Sequence, residues 1–216
     1  MHIFLDTANI DQIRQAAKLG IISGVTTNPS LVSKEKATNY EATIKEICSI
    51  IHGPVSVEVI AEETQDMIKQ ARDIVTWAPN VVIKIPATVA GLEATSILSK
   101  EGIRVNFTLC FSLNQALLGA RAGAAYVSPF VGRLDDIGDN GMQLVKDIVG
   151  VYEHYHLSTE VIAASIRHPQ HCVEAAKAGA HIATVPYSVL IQMIQHPLTD
   201  IGVTRFLSDW KRISQK

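Results

Sequence analysis

Along the chain, short runs rich in Val and Ile alternate with longer stretches in which apolar residues return every three or four positions. The first kind predicts strands buried on both faces, and the second predicts amphipathic helices. Eight strand segments can be marked, at about residues 3–6, 24–28, 55–60, 81–85, 104–109, 126–130, 161–166 and 182–185, each followed by a helical stretch. Eight strand–helix units in succession predict an α/β fold, a single (β/α)8 barrel. The punctuation agrees. Thr64 is placed to cap a helix that Pro79 stops, and Ala-Gly-Ala at 122–124 and 178–180 closes two small-residue helices just before a strand.

No Pro/Gly/Ser-rich linker divides the chain, so residues 1–216 are expected to form one domain. After the eighth strand and its helix comes one more helical stretch, at about 198–213, carrying Ile201, Val203, Phe206, Leu207, Trp210 and Ile213. The ring has no slot for it, so its apolar side either caps its own barrel or packs on a neighbouring subunit.

Composition narrows the classes. A chain of 216 residues with 47% hydrophobic and 19% charged residues is globular, and its net charge of −2 gives no general attraction for nucleic acid or an anionic membrane. An anionic substrate must therefore be caught locally. No run reaches membrane-spanning length, and Met-His-Ile-Phe-Leu-Asp is unlike a secretory leader, so a cytoplasmic protein is expected. Cys48, Cys110 and Cys172 are odd in number, widely spaced and set among apolar residues, which suits core thiols. His168 and His171 share a helix face without a third ligand nearby, and His154 and His156 sit at a helix end, so no metal is expected. Gly-x-Gly-x-x-Gly and Walker patterns are absent, so neither a dinucleotide nor an NTP is suggested.

The chemistry is concentrated where the strands face inward. In Val81-Val82-Ile83-Lys84-Ile85-Pro86, alternation sends Val81, Ile83 and Ile85 one way and Val82 and Lys84 the other. Lys84 is thereby expected inside the fold, where burial favours the neutral, nucleophilic amine that imine chemistry on a carbonyl needs. The plainer alternative is an edge-strand lysine with its head in water.

Sending the most apolar set of each strand outward leaves Phe4 and Asp6, Thr26 and Asn28, Ser56 and Glu58, Asn106 and Thr108, Ser128 and Phe130, then Ala163, Ser165 and Arg167 facing in. Active sites of this fold lie at the C-terminal strand ends. Lys84 would attack a ketone, Glu58 would move protons through a water held by Thr108, Asp6 would take the hydroxyl proton whose loss drives carbon–carbon cleavage, and Asn28 would bind a substrate hydroxyl. Arg133, Ser165 and Arg167 gather near the last strands, where barrels tend to bind phosphate, and Gly132 would allow a close anion. Each has a structural alternative: Asp6 and Asn28 as helix caps, Thr26, Thr108 and Ser165 as strand-end fillers, Arg133 as partner of Asp135 or Asp136.

Six stretches in order then resemble a known family: Phe4-Leu5-Asp6-Thr7-Ala8, Gly24-Val25-Thr26-Thr27-Asn28-Pro29-Ser30, Val82-Ile83-Lys84-Ile85-Pro86, Asn106-Phe107-Thr108, Ser128-Pro129-Phe130-Val131-Gly132-Arg133 and Ala163-Ala164-Ser165. From end to end the chain is similar to the short transaldolase group, which also contains the fructose-6-phosphate aldolases. The resemblance implies a (β/α)8 barrel and a Schiff-base lysine at Lys84. It gives Asp6 and Asn28 roles at substrate hydroxyls, puts Glu58 and Thr108 around a catalytic water, and puts Arg133 and Ser165 at a sugar phosphate. It also implies no metal or organic cofactor, and a decamer of two pentamers in which the C-terminal helix reaches a neighbour.

Glu58 and Phe130 stand where transaldolases of the group carry Glu and Phe and the aldolases carry Gln and Tyr. The expected activity is transfer of a dihydroxyacetone unit from sedoheptulose 7-phosphate to glyceraldehyde 3-phosphate, with fructose-6-phosphate aldolase as the nearer alternative. A pyridoxal-phosphate barrel with an imine lysine and a non-catalytic sugar-phosphate-binding protein are alternatives from other classes.

Overall fold

The computed structural model describes residues 1–35 and 39–214. In chain order the elements are β1 (His2–Asp6), α1 (Ile10–Lys18), β2 (Ile22–Thr26), α2 (Pro29–Val32), α3 (Tyr40–Ile50), β3 (Val55–Glu58), α4 (Thr64–Ile74), β4 (Val81–Pro86), α5 (Val89–Lys100), β5 (Val105–Cys110) and α6 (Leu113–Arg121). Then come β6 (Tyr126–Pro129), α7 (Val131–Asp135), α8 (Gly141–His154), β7 (Glu160–Ala163), α9 (Pro169–Lys177), β8 (Ile182–Val185), α10 (Tyr187–Ile194) and α11 (Pro197–Ile213). The eight strands run parallel and close into a barrel in sequence order, β8 pairing with β1. This is the (β/α)8 barrel with an extra C-terminal helix that the periodicity predicts.

Two apolar layers account for the closure. Leu5, Val25, Val55, Val57, Ile83, Ile85, Val105, Val127 and Val161 point outward and are wholly buried beneath helix faces such as Ile13 and Ala16 of α1 and Ile44 and Ile47 of α3. Each such side chain contributes about 1.5–3 kcal/mol, and β-branching suits the pleated surface. Inside the barrel, Phe4, Val82, Tyr126, Ile162 and Ile182 form a separate plug below the strand ends. The Phe4 ring fits only because residue 24 is glycine: a Cβ there would lie 2.7 Å from the ring and from the Pro54 carbonyl oxygen. The plug fills the lower barrel, which leaves the polar inward residues at the upper, C-terminal end.

Four local expectations are corrected. On β7, Ile162 joins the interior plug while Ala163 packs outward, so the assumed phase is reversed; a run apolar at every position carries no alternation to fix it. β7 ends at Ala163, and Ser165 turns inward through a left-handed φ of 59°. On β5 the alternation stops at Leu109, whose φ is 53°, and Cys110 takes the outer-core position expected of Leu109. Thr64 does not cap α4; Glu63 holds that position without a side-chain bond, and the Thr64 hydroxyl donates to Glu93 at 2.9 Å.

The two Ala-Gly-Ala ends are as expected, with Gly123 at φ 93° and Gly179 at φ 80° just past α6 and α9. The three cysteines are buried free thiols, and burial pushes each up to about 11. No residue of α11 is buried, and Leu198, Ile201, Phe206 and Trp210 are exposed. Among the described residues no helix is long and apolar enough to cross a membrane.

Candidate active site

Lys84 stands one inward step above Val82 of the plug, and only 5% of it is exposed. Its Nζ donates to Glu58 Oε2 at 3.2 Å and to the Thr27 carbonyl at 3.2 Å. Parallel register sets Glu58 directly beside Lys84, so an ammonium proton has a carboxylate to move to without a change of backbone. A buried ammonium facing only apolar walls would cost several kcal/mol, and these two acceptors offset that cost. The Thr27 carbonyl was beyond the reach of sequence reasoning, which sees side-chain identities and not main-chain direction. Thr108, opposite Pro86 in the register, is fully buried, and its hydroxyl finds no partner among the described residues. An unmade buried hydrogen bond costs about 1–3 kcal/mol, so this hydroxyl on the strand next to Lys84 is kept at the expense of stability.

On the opposite arc, the Thr184 and Thr26 hydroxyls lie 2.6 Å apart, and Thr26 donates to Asp6 Oδ1 at 2.7 Å. Burial raises the Asp6 carboxyl above its ordinary 3.8, against the lowering effects of Lys84 and of the Thr26 hydrogen bond. Asp6 is not a cap, since Asn9 caps α1. Asn28 does both jobs: its Oδ1 accepts from the Leu31 amide at 2.9 Å, capping α2, while the residue lines the cleft. Thr184 was missed, although alternation from Ile182 would have pointed to it.

Asn106 faces inward as alternation predicts, but it is not among the residues that bound the cleft. It lies wholly buried, donating through Nδ2 to Ser56 at 3.1 Å and accepting on Oδ1 from Ser128 at 2.7 Å. The two serines occupy the amide from either side, and Ser128, not Asn106, reaches the cleft wall. Asn106 therefore braces the layer beneath the cleft.

The cleft holds about 270 Å³ and is bounded by Asp6, Thr26, Asn28, Lys84, Ser128, Phe130, Arg133, Ser165, Arg167 and Thr184, with Lys34 at its edge. Phe130 is buried, edge-on to Phe111 at 5.6 Å, and the Arg133 guanidinium lies 4.9 Å from its ring centroid. Arg133 is not the partner of Asp135 or Asp136: Asp136 takes Arg167 at 2.8 Å and Asp135 faces His171 at 3.1 Å. Gly132 does not open room for an anion. Its N–H donates to the Ser165 carbonyl at 3.1 Å, and a Cβ would meet that oxygen at 2.3 Å. Two ion pairs, Lys84 with Glu58 and Arg167 with Asp136, balance internally. Among the described residues, Arg133 and Lys34 are left as cleft cations without a carboxylate partner, and Lys34 carried no sequence signal beyond its charge.

A (β/α)8 barrel with a buried amine, an adjoining carboxylate and cations at its C-terminal mouth defines an aldolase-type barrel enzyme. The chain belongs to the transaldolase/fructose-6-phosphate aldolase family, whose model matches residues 3–216. It is 62% identical over 216 residues to a probable transaldolase of Dehalococcoides mccartyi, covering all of both chains. It is 57% identical over 216 residues, again covering all of both, to one of a Thermoanaerobacter species. A third, from Methanococcus maripaludis, is 58% identical over 211 residues and 98% of each chain. Among solved structures, a thiamine phosphate pyrophosphorylase from Pyrococcus furiosus shares the fold alone, with TM-score 0.58 and 13% identity over 86% of this chain and 85% of that one.

Proposed function

We propose that this chain is a transaldolase that moves a dihydroxyacetone unit from a ketose phosphate such as sedoheptulose 7-phosphate to an aldose phosphate such as glyceraldehyde 3-phosphate. The observation that carries the reading is the Lys84 amine, buried at the base of the cleft with a carboxylate 3.2 Å away. Transfer of its proton to Glu58 frees the lone pair for attack on the C2 carbonyl. Glu58 then returns a proton to the carbinolamine oxygen, which leaves as water and yields the protonated imine. Asp6 takes the C4 hydroxyl proton, the C3–C4 bond breaks, and the bonding electrons pass into the imine as an enamine. The aldehyde fragment departs, an acceptor aldehyde takes its place, and the steps reverse. Asn28 and Ser128 bind hydroxyls, while Arg133 and Ser165 receive the phosphate.

Borohydride reduction in the presence of fructose 6-phosphate, followed by intact mass and peptide mapping, tests the reading. One three-carbon adduct on Lys84 is expected, and its absence or its location elsewhere refutes the chemistry.

Glu58 and Phe130 favour transaldolase over fructose-6-phosphate aldolase. A phenylalanine offers no proton to the enamine, so the intermediate waits for an acceptor aldehyde and does not discharge dihydroxyacetone to water. Phe130→Tyr is expected to raise acceptor-free cleavage of fructose 6-phosphate at least about tenfold, measured as dihydroxyacetone released. Unchanged release would remove the reason for preferring transfer.

The second part of the proposal is assembly: α11 docks on another copy of this chain, as the family resemblance implies, and so covers Leu198, Ile201, Phe206 and Trp210. Phe206→Asp combined with Trp210→Asp is expected to lower the mass seen by sedimentation while barrel circular dichroism is retained. A monomeric native chain would contradict this part.

A further inference from the structure

The arginine end of the cleft is built from two loops with little sheet to hold them. α7, carrying Arg133, follows β6, and the segment with Ser165 and Arg167 follows β7. Their main-chain link is a single bridge at Phe130 and Ala164, extended by Val131 N–H to the Ala164 carbonyl at 2.9 Å and Gly132 N–H to the Ser165 carbonyl at 3.1 Å. The ion pair of Arg167 with Asp136 crosses between them, but both side chains are more than half exposed, and such a pair is worth about 0–1 kcal/mol. Something else must keep Arg167 and the left-handed Ser165 in place.

We infer that His171, held by Asp135, is a positioning residue that locks the Arg133 and Arg167 loops together as one phosphate-binding surface; this rests on the reading that this end of the cleft takes the substrate phosphate. The ring is buried on α9 and bridges both loops. Its Nδ1 accepts the Arg167 backbone N–H at 3.3 Å, and its Nε2 lies 3.1 Å from Asp135 Oδ2 at the end of α7. Asp135 is itself fixed, its Oδ1 accepting the Gly141 amide at 3.1 Å. A nitrogen that accepts from a backbone N–H carries no proton, so the other nitrogen bears the hydrogen and donates to Asp135. The two partners together select one neutral tautomer. The ring end of this bridge is buried and the Asp135 side chain is 38% exposed, so the contact is more shielded from water than the Arg167–Asp136 pair beside it.

Protonation breaks this arrangement from one side. A second hydrogen on Nδ1 would point at the Arg167 N–H, donor against donor, and free the backbone two residues after Ser165. The groups facing the ring act in both directions. Burial, the His168 ring at 3.8 Å between centroids and Arg167 hold His171 below its ordinary 6.5, while Asp135 and Glu174 pull it upward. The lowered value keeps the lock closed at neutral pH and opens it only in acid.

The test compares kcat/KM for fructose 6-phosphate with that for fructose, which lacks the phosphate, in the native enzyme and in His171→Asn, Asp135→Asn and Arg133→Ala. A falling preference for the phosphorylated donor, about tenfold or more and carried by KM, is expected in all three. Across acid pH, the native preference should fall more steeply than that of His171→Asn, since titration of the phosphate itself is common to both. Unchanged preference in His171→Asn and Asp135→Asn, with loss in Arg133→Ala, would overturn the positioning role alone. Unchanged preference in all three would overturn the phosphate reading, and the inference with it. Asp135→Asn changes no buried ring, so it still decides the matter should His171→Asn fold poorly.

Discussion

Lys84→Met is expected to lower transfer activity by at least about four orders of magnitude, or more than 5 kcal/mol of transition-state stabilisation, and to abolish the borohydride adduct. Loss of a nucleophile must be distinguished from loss of the fold. Removing the amine leaves Glu58, whose side chain is only 14% exposed, without its ion-pair partner. A carboxylate left unpaired in such a place costs about 3–5 kcal/mol, which lowers the melting temperature of a chain this size by roughly 2–4 °C for each kcal/mol. Adding Glu58→Gln to Lys84→Met removes the unpaired charge. The double variant should recover most of the lost stability and none of the activity. Recovery of activity, or substantial turnover by Lys84→Met itself, would mean that the amine is not the nucleophile.

Much of this arrangement is legible in the sequence. Where a strand alternates visibly, as in Val55-Ser56-Val57-Glu58, the pattern fixes which residues face in, and Glu58, Lys84, Thr26 and Asp6 all fall at the C-terminal barrel mouth. Where every position is apolar or small, as in Val161-Ile162-Ala163-Ala164, there is no contrast to read, and the phase came out reversed. Ser165 still reaches the cleft, through a positive φ that no side-chain pattern announces. For Asn106 alternation gives direction and not depth: it faces inward as read, but its amide is taken up by Ser56 and Ser128, which the pattern does not show. The same limit hid the Thr27 carbonyl. The division of labour among Asp135, Asp136 and the two arginines also depends on how two loops cross, which local sequence does not encode.

Asp6→Asn is expected to lower activity by about 10²–10⁴ while making the protein more stable at neutral pH. The loss follows from the role proposed for the carboxylate, since an amide cannot accept the proton released when the C3–C4 bond breaks. The gain follows from burial, which raises the Asp6 carboxyl above 3.8, so the folded chain holds this proton more tightly than the unfolded chain does. Folding stability therefore declines as pH rises from the unfolded value through the raised folded one, and above that the cost of the buried charge is constant. Asn carries no charge but still offers an Oδ1 to the Thr26 hydroxyl, so the 2.7 Å hydrogen bond can survive. The stability advantage of Asp6→Asn should be full above the titration range of the buried carboxyl, shrink as pH is lowered through that range, and vanish below the ordinary value. Paired unfolding curves at fixed protein concentration, from about pH 4 to about pH 8, would read it directly. A variant that is inactive yet no more stable than the native chain at neutral pH would show that Lys84 and Thr26 already offset the burial of Asp6. A variant that keeps native activity would remove Asp6 from the proton path altogether.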